Sequence, residues 1–202
     1  RSNPSSSLWN CGSTAAPPVL AIHPGSRWPS KCWPVGRFAA VALRAVRAWK
    51  ARVIVLGSAA ESPRCRSLAA SLRAAIPAGD VEDLSGATTL TGLATKLRAA
   101  NLLLSSDSGP LHLAAALGTP VVGVYTSTSP ILSGPSLCGG SERPWHQLVA
   151  APTACAPCYR HRCPLPGQQK NACQRDLSVE RVWQALQECR DRNRRAEPVT
   201  FP

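Results

Sequence analysis

The sequence predicts an α/β fold, a Rossmann-like parallel sheet with helices on both faces. Three observations predict it. Short apolar runs recur along the chain, each the length of a buried strand. Between them lie segments with apolar residues at helical spacing. Turn residues punctuate the ends of the runs, as in repeated strand–helix units. Strands that alternate with helices in this way build a parallel sheet covered on two sides.

The elements follow in order. Val19, Leu20, Ala21 and Ile22 form a buried strand that ends at the turn His23-Pro24-Gly25-Ser26. Residues 35–49 predict a helix, with Phe38, Val41, Ala42, Ala45, Val46 and Trp49 on one stripe. A second strand over 53–56 closes at Gly57, and a helix over 62–76 follows, with Leu68, Ala69, Leu72 and Ile76 facing inward. A strand is expected at 81–84, a helix at 90–99, a strand at 102–104, a helix at 110–117 ended by Gly118, and a strand at 121–124. Residues 152–175 read as irregular, being rich in Cys, Pro, Gln and Arg. A final helix is expected from 177 to about 192, with Ser178 as its N-cap. Its apolar stripe (Val179, Val182, Trp183, Leu186) is expected to be exposed for packing on a further domain. The chain thus divides into a linker (1–16), a Rossmann-like domain (17–176) and a terminal helix and tail (177–202).

Composition narrows the function. The 202 residues are enough for one domain with appendages. No apolar stretch is long enough for a transmembrane helix, and no basic-then-apolar signal opens the chain. The first residue is Arg rather than Met, so a piece of a longer protein is expected. The formal charge is +12, carried mostly by Arg. It calls for an anionic partner, but aromatic and basic residues do not interleave as in a base-stacking surface. No nucleic-acid partner is expected, and an anionic lipid surface fits better. The nine cysteines are odd in number and four cluster between Cys155 and Cys173, so a reducing compartment is expected rather than a secreted disulfide framework.

Four stretches carry candidate chemistry. HPGSRWPSKCWP (23–34) follows a strand and precedes a helix. Its turn can offer N–H groups to an anion, with Ser26, Arg27 and Lys31 beside them. A plain Pro-rich loop with solvated cations is the alternative. In SSDSGPLHLAAALGTP (105–120) Pro110 suits the first helical position, and the helix start makes a phosphate site. There His112 lies on the ligand side if Leu111 and Leu113 face the protein, while Asp107 orients donors, caps the turn or approaches a sugar hydroxyl. An ordinary capped helix with a surface His is the alternative. Glu61, in GSAAE (57–61), can accept from the vicinal hydroxyls of a ribose, or is a solvated residue at a helix start. Cys155, Cys158, Cys163 and Cys173 allow a zinc site, two disulfides or free thiols.

These stretches, with LSGATTLTGLA (84–94) and CAPCYRHRCP (155–164), resemble the C-terminal domain of the glycosyltransferase family that contains the lipopolysaccharide heptosyltransferases, glycosyltransferase family 9. The resemblance covers about residues 19–192, and the Cys-rich element is most similar to the heptosyltransferase II branch. It implies a GT-B architecture of two Rossmann-like domains, with this chain as the C-terminal half. It further implies an ADP-heptose donor (ADP-L-glycero-D-manno-heptose), a lipid A–Kdo inner-core acceptor, inverting transfer and no cofactor or catalytic metal. By resemblance Lys31 and Asp107 are the catalytic candidates. Lys31 meets the diphosphate, Glu61 the ribose and Leu90 the adenine, with Ser26, Arg27, Asp107, Ser108, Gly109 and His112 around phosphates and heptose. The family's general base belongs to the N-terminal domain, so this chain alone is expected to be inactive. A cytoplasmic place, peripheral to the inner membrane, is expected. A GT-B enzyme for another nucleotide sugar, a truncated nucleotide-sugar-binding module and a basic zinc-binding module are the rival readings.

Overall fold

In the computed structural model of the chain, residues 16–76, 78–135 and 146–195 are described. All but the last residue of the expected linker, and the tail from 196, lie outside the described residues. Six strands form one parallel sheet: β1 (Val19–His23), β2 (Arg52–Val55), β3 (Val81–Asp83), β4 (Leu102–Ser106), β5 (Val121–Tyr125) and β6 (Gln147–Ala150). Their order across the sheet is β3-β2-β1-β4-β5-β6. That is the doubly wound order of a dinucleotide-binding fold.

Alternation along each central strand makes the sheet two-sided. Leu20 and Ile22 join one core with Leu102, Leu104, Val122 and Val124, while Ala21, Leu103, Val121 and Tyr125 join the other. The first core is closed by α1 (Val35–Trp49), α2 (Ser62–Arg73) and α7 (Val179–Arg195). The second is closed by α3 (Leu90–Ala99) and α4 (Gly109–Ala116). Two short helices, α5 (Pro130–Ser133) and α6 (Ala172–Asp176), complete the set.

Most boundaries fall within a few residues of the sequence reading. The helix expected to reach 76 ends at Arg73. The strand expected at 102–104 runs on to Ser106. The sequence reading missed β6, α5 and α6. It also placed the stripe of the last helix wrongly. Val182 and Leu186 are fully buried within this domain, and Trp183 stacks on Trp49 of α1 with ring centroids 5.0 Å apart. Ser178 caps α7 as expected, accepting from the Arg181 N–H at 3.2 Å. The stripe therefore faces α1, β5 and β6 rather than a further domain.

A domain with a core on each side of its sheet holds its own packing energy. Leu186→Ala removes a fully buried side chain from the α7 seam. It is expected to lower unfolding free energy by about 2–5 kcal/mol, read as a shift of the urea midpoint at unchanged slope. A loss below about 0.5 kcal/mol would mean that α7 does not pack here in solution.

Candidate functional site

β1 and β4 are neighbours at the centre of the sheet, with His23 paired to Ser105 at their carboxyl ends. The chain then leaves β1 toward one core and β4 toward the other. Such a switch point opens a crevice. Here it holds a cavity of about 540 Å³. All nine residues singled out from the sequence (Ser26, Arg27, Lys31, Glu61, Leu90, Asp107, Ser108, Gly109 and His112) line it. None was misplaced.

Lys31 ends a short 3-10 turn after β1 (Pro29–Lys31). Its Nζ lies 2.8 Å from Asp107 Oδ2, and 4.9 Å from the centre of the Trp28 ring. Asp107 is 3% exposed. Thr128 donates to the same Oδ2 at 2.7 Å, and His112 Nε2 stands 3.8 Å from Oδ1. The Ser26 hydroxyl donates to the Asp107 carbonyl at 2.8 Å, so it braces the loop. Asp107 thus holds two cationic or polar donors in place, the donor-orienting arrangement among the sequence expectations.

Glu61 follows β2 on a second 3-10 turn (Ala59–Glu61). The Ser58 N–H and hydroxyl donate to its Oε2 at 2.9 and 2.8 Å, completing a capping box. His23 Nε2 stands 3.4 Å from the same oxygen. The hydrogen bond from His23, then its charge and Ser58, hold the Glu61 carboxyl down at about 2 against the opposing effect of burial. The sequence reading gave His23 no role, although it opens the first motif. Its position as the last residue of β1, on the switch strand, was the available signal.

Ser108 occupies the N-cap position of α4 but does not cap it. Its hydroxyl instead meets His23 Nδ1 at 3.0 Å and Ser105 Oγ at 3.1 Å. Pro110 has no N–H and the Leu111 N–H donates to the Ser108 carbonyl at 3.1 Å, so among the first three residues of α4 it is the Gly109 N–H that is left for an anion. A Cβ at Gly109 would meet nothing within 4 Å, so the approach to that N–H is open. Leu111 is fully buried and His112 is exposed, which puts His112 on the crevice side. On the far rim Leu90, 76% exposed, joins Leu93, Thr88 and Thr89. The crevice thus offers cations and a backbone N–H, a carboxylate, and an apolar edge.

The four clustered cysteines gather as expected, around a separate cavity of about 160 Å³. They are free thiols in this structure. Among the described residues no group of three or more His, Cys, Asp or Glu side chains is arranged to hold a metal ion. Burial pushes the Cys173 thiol up to about 11, and Cys155, Cys158 and Cys163 push in the same direction. The segment has a visible mechanical role. The Ser30 hydroxyl donates to the Arg160 carbonyl, Ser30 N–H to the His161 carbonyl at 3.4 Å, and the Gln174 amide to the Pro29 carbonyl at 2.7 Å. The turn that presents Lys31 is gripped from behind by the Cys-rich segment.

The model of glycosyltransferase family 9 (heptosyltransferase) matches residues 5–168, most of the chain. The chain belongs to glycosyltransferase family 9. It is 28% identical over 169 residues to lipooligosaccharide heptosyltransferase 2 of Campylobacter jejuni, covering 81% of this chain and 48% of that protein. It is 32% identical over 151 residues to lipopolysaccharide heptosyltransferase 1 of Pseudomonas aeruginosa, covering 73% of this chain and 38% of that protein. The solved ADP-heptose lipopolysaccharide heptosyltransferase II of Escherichia coli shares the fold at a TM-score of 0.68 and 21% identity, over 90% of this chain and 49% of that one. This family 9 chain spans about half the length or less of the relatives it matches.

The depressed Glu61 value has a consequence for stability. Its carboxyl sits at about 2 in the folded chain against an ordinary 4.5. Its ionised form therefore stabilises the fold fully above pH 4.5, and that stabilisation is lost as pH falls toward 2. Glu61→Gln cannot ionise. The stability margin of the native chain over Glu61→Gln, followed by thermal unfolding, is expected to be largest above pH 4.5 and to shrink steadily toward pH 2. A margin independent of pH across that window would contradict the pairing with His23 and Ser58.

Proposed function

We propose that this chain is the donor-binding, C-terminal half of a heptosyltransferase. The enzyme transfers heptose from ADP-L-glycero-D-manno-heptose to the lipid A–Kdo inner core of lipopolysaccharide, with inversion. One observation carries the reading. A single crevice at the switch point joins Lys31 and the open start of α4 to a fixed carboxylate, Glu61, and an apolar rim at Leu90. A nucleoside diphosphate presents the complementary sequence of groups: two phosphates, vicinal ribose hydroxyls and a flat base. The named relatives, an ADP-heptose enzyme among them, are in keeping with this donor.

The residues then take the following roles. The Gly109 N–H and the positive end of the α4 dipole receive the diphosphate oxygens. His112 and Arg27 add charge at the same end. Lys31, aimed by Asp107, neutralises the diphosphate as its bond to the anomeric carbon breaks and ADP departs with the electron pair. Glu61 accepts from the ribose hydroxyls, and Leu90 with Leu93 covers the adenine. The acceptor oxygen forms its new bond on the opposite face of that carbon and gives its proton to a base. That base belongs to the N-terminal half, so the 202-residue chain alone binds donor without turning it over.

The enzyme works in the cytoplasm, at the inner face of the inner membrane. Among the described residues no helix is long and apolar enough to cross a membrane. The basic end of α7 (Arg190, Arg192, Arg194, Arg195) suits anionic lipid head groups.

Calorimetric titration with ADP, UDP and GDP tests the donor. ADP is expected to bind at least about tenfold tighter than UDP or GDP, and Lys31→Ala to weaken ADP by about tenfold or more, as loss of a charge-assisted contact does. Preference for UDP or GDP would point to another nucleotide sugar. No binding by the folded chain would mean that a further domain completes the site or that the chain is an inactive remnant, and the residue roles would lose their support.

A further inference from the structure

His23 lies in the crevice, yet neither the sequence motifs nor the proposed reaction gives it a task. It is 3% exposed and sits on the sheet itself, at the end of β1. Both ring nitrogens are engaged, in opposite directions. Nε2 faces Glu61 Oε2 at 3.4 Å, and Nδ1 faces the Ser108 hydroxyl at 3.0 Å. The imidazole is a rigid bar between the turn after β2 and the start of α4.

Glu61 needs such a bar. It stands on a three-residue turn, and its local support is Ser58, three residues away on the same turn. Only His23 ties the carboxylate to the sheet among the hydrogen-bonding and ion-pair partners of the described residues. Those partners all meet Oε2. The other oxygen, Oε1, lies over Gly25, where an added Cβ would come within 2.1 Å of it. Glu61 is thus held by one oxygen, and the absence of a side chain at Gly25 leaves room for the second.

Resting on the reading of the crevice as a nucleoside-diphosphate site, we infer that His23 is a positioning residue that fixes the span between the ribose acceptor and the phosphate cradle. Through that span it sets the demand for an intact 2′-hydroxyl. If the imidazole is removed, Glu61 keeps its charge and its capping box but loses its register against α4. Phosphates still bind. The ribose hydroxyl no longer meets Oε1.

Conservative variants separate the two halves of the bar. An Asn amide reaches about as far as Nδ1 and meets Ser108, whereas a Gln amide reaches about as far as Nε2 and meets Glu61. The experiment measures binding of ADP, 2′-deoxy-ADP and inorganic pyrophosphate to the native chain, His23→Asn, His23→Gln and Glu61→Gln. The native chain is expected to prefer ADP over 2′-deoxy-ADP about tenfold, the worth of one hydrogen bond to a charged group. His23→Asn should reduce that preference to within about twofold, with pyrophosphate affinity changed by no more than about twofold, while His23→Gln keeps the preference. A purely structural role would weaken all three ligands alike in both variants. Retained preference in His23→Asn would overturn the inference while leaving the donor site standing. A native chain without the ADP preference, unaffected by Glu61→Gln, would overturn both.

A second measurement needs no change at His23. Long-range 15N–1H spectra of the native chain are expected to show its proton on Nε2, toward Glu61, and Glu61→Ala to abolish that bias. A native ring protonated at Nδ1 alone would overturn the inference.

Discussion

The parallel pairing of β1 with β4 is the constraint on which the rest depends. It sets His23 beside Ser105. The strand ends therefore deliver two loops to one place, although they are some 80 residues apart in sequence. From β1 come Gly25, Ser26 and Lys31, and from β4 come Asp107, Ser108 and the start of α4. A register slip of one residue would turn the alternating side chains to the wrong faces and undo both cores. The precision of the crevice is therefore supplied by the hydrophobic packing of Leu20, Ile22, Leu102 and Leu104, which hold that register. The polar groups make use of a spacing that apolar burial has already fixed.

A buried carboxylate beside a lysine is costly unless the geometry is good and its other lone pairs are met. Asp107 meets that condition through Lys31 and Thr128 on one oxygen and His112 near the other. Lys31 also gives up rotamer freedom to stay there. Part of this ordering is arranged before the side chain begins. Its turn is clamped by the Arg160 and His161 carbonyls through Ser30, by Gln174 through Pro29, and by Thr126 on the Ser30 carbonyl at 2.6 Å. The Cys-rich segment is anchored in its turn, because the Cys158 and Tyr159 N–H groups both donate to the Ser127 carbonyl. Its thiols line a small cavity behind the crevice, and its backbone sets the backbone that presents Lys31.

The central elements were legible because their signal is local. Apolar runs and helical spacing place β1, β2, β4, β5 and α1 through α4 without reference to the partners they meet. The loops of the crevice were legible for the same reason, each following a strand and carrying charge or small residues. What escaped needed tertiary knowledge. Gln147–Ala150 is short and weakly apolar, and it becomes a strand by pairing with β5. The stripe of α7 was read correctly as apolar, but its direction was not, since periodicity reveals a face and not what covers it. Trp49 and Trp183 belong to helices that are distant in sequence, and only folding shows that they stack. His23 was hidden because its function is relational: one imidazole means little until Glu61 and Ser108 stand on either side of it.

The same relations show why the crevice suits binding better than proton transfer. A general base works best with a pKa near the ambient pH. Glu61, held at about 2, is a poor proton acceptor, and three donors crowd one of its oxygens. Asp107 is buried under Lys31 and Thr128, and accepting a proton would break the pairing that aims Lys31. His112 stands at the start of α4, on the side proposed to hold the leaving diphosphate. In an inverting displacement the nucleophile arrives on the opposite side of the reacting carbon, and its base must lie there too. In the proposed reaction the residues assigned to the diphosphate would thereby lie on the wrong side to activate an acceptor. The proposed division of labour follows from that geometry: recognition is assigned to this crevice, and activation of the acceptor to a second wall facing it.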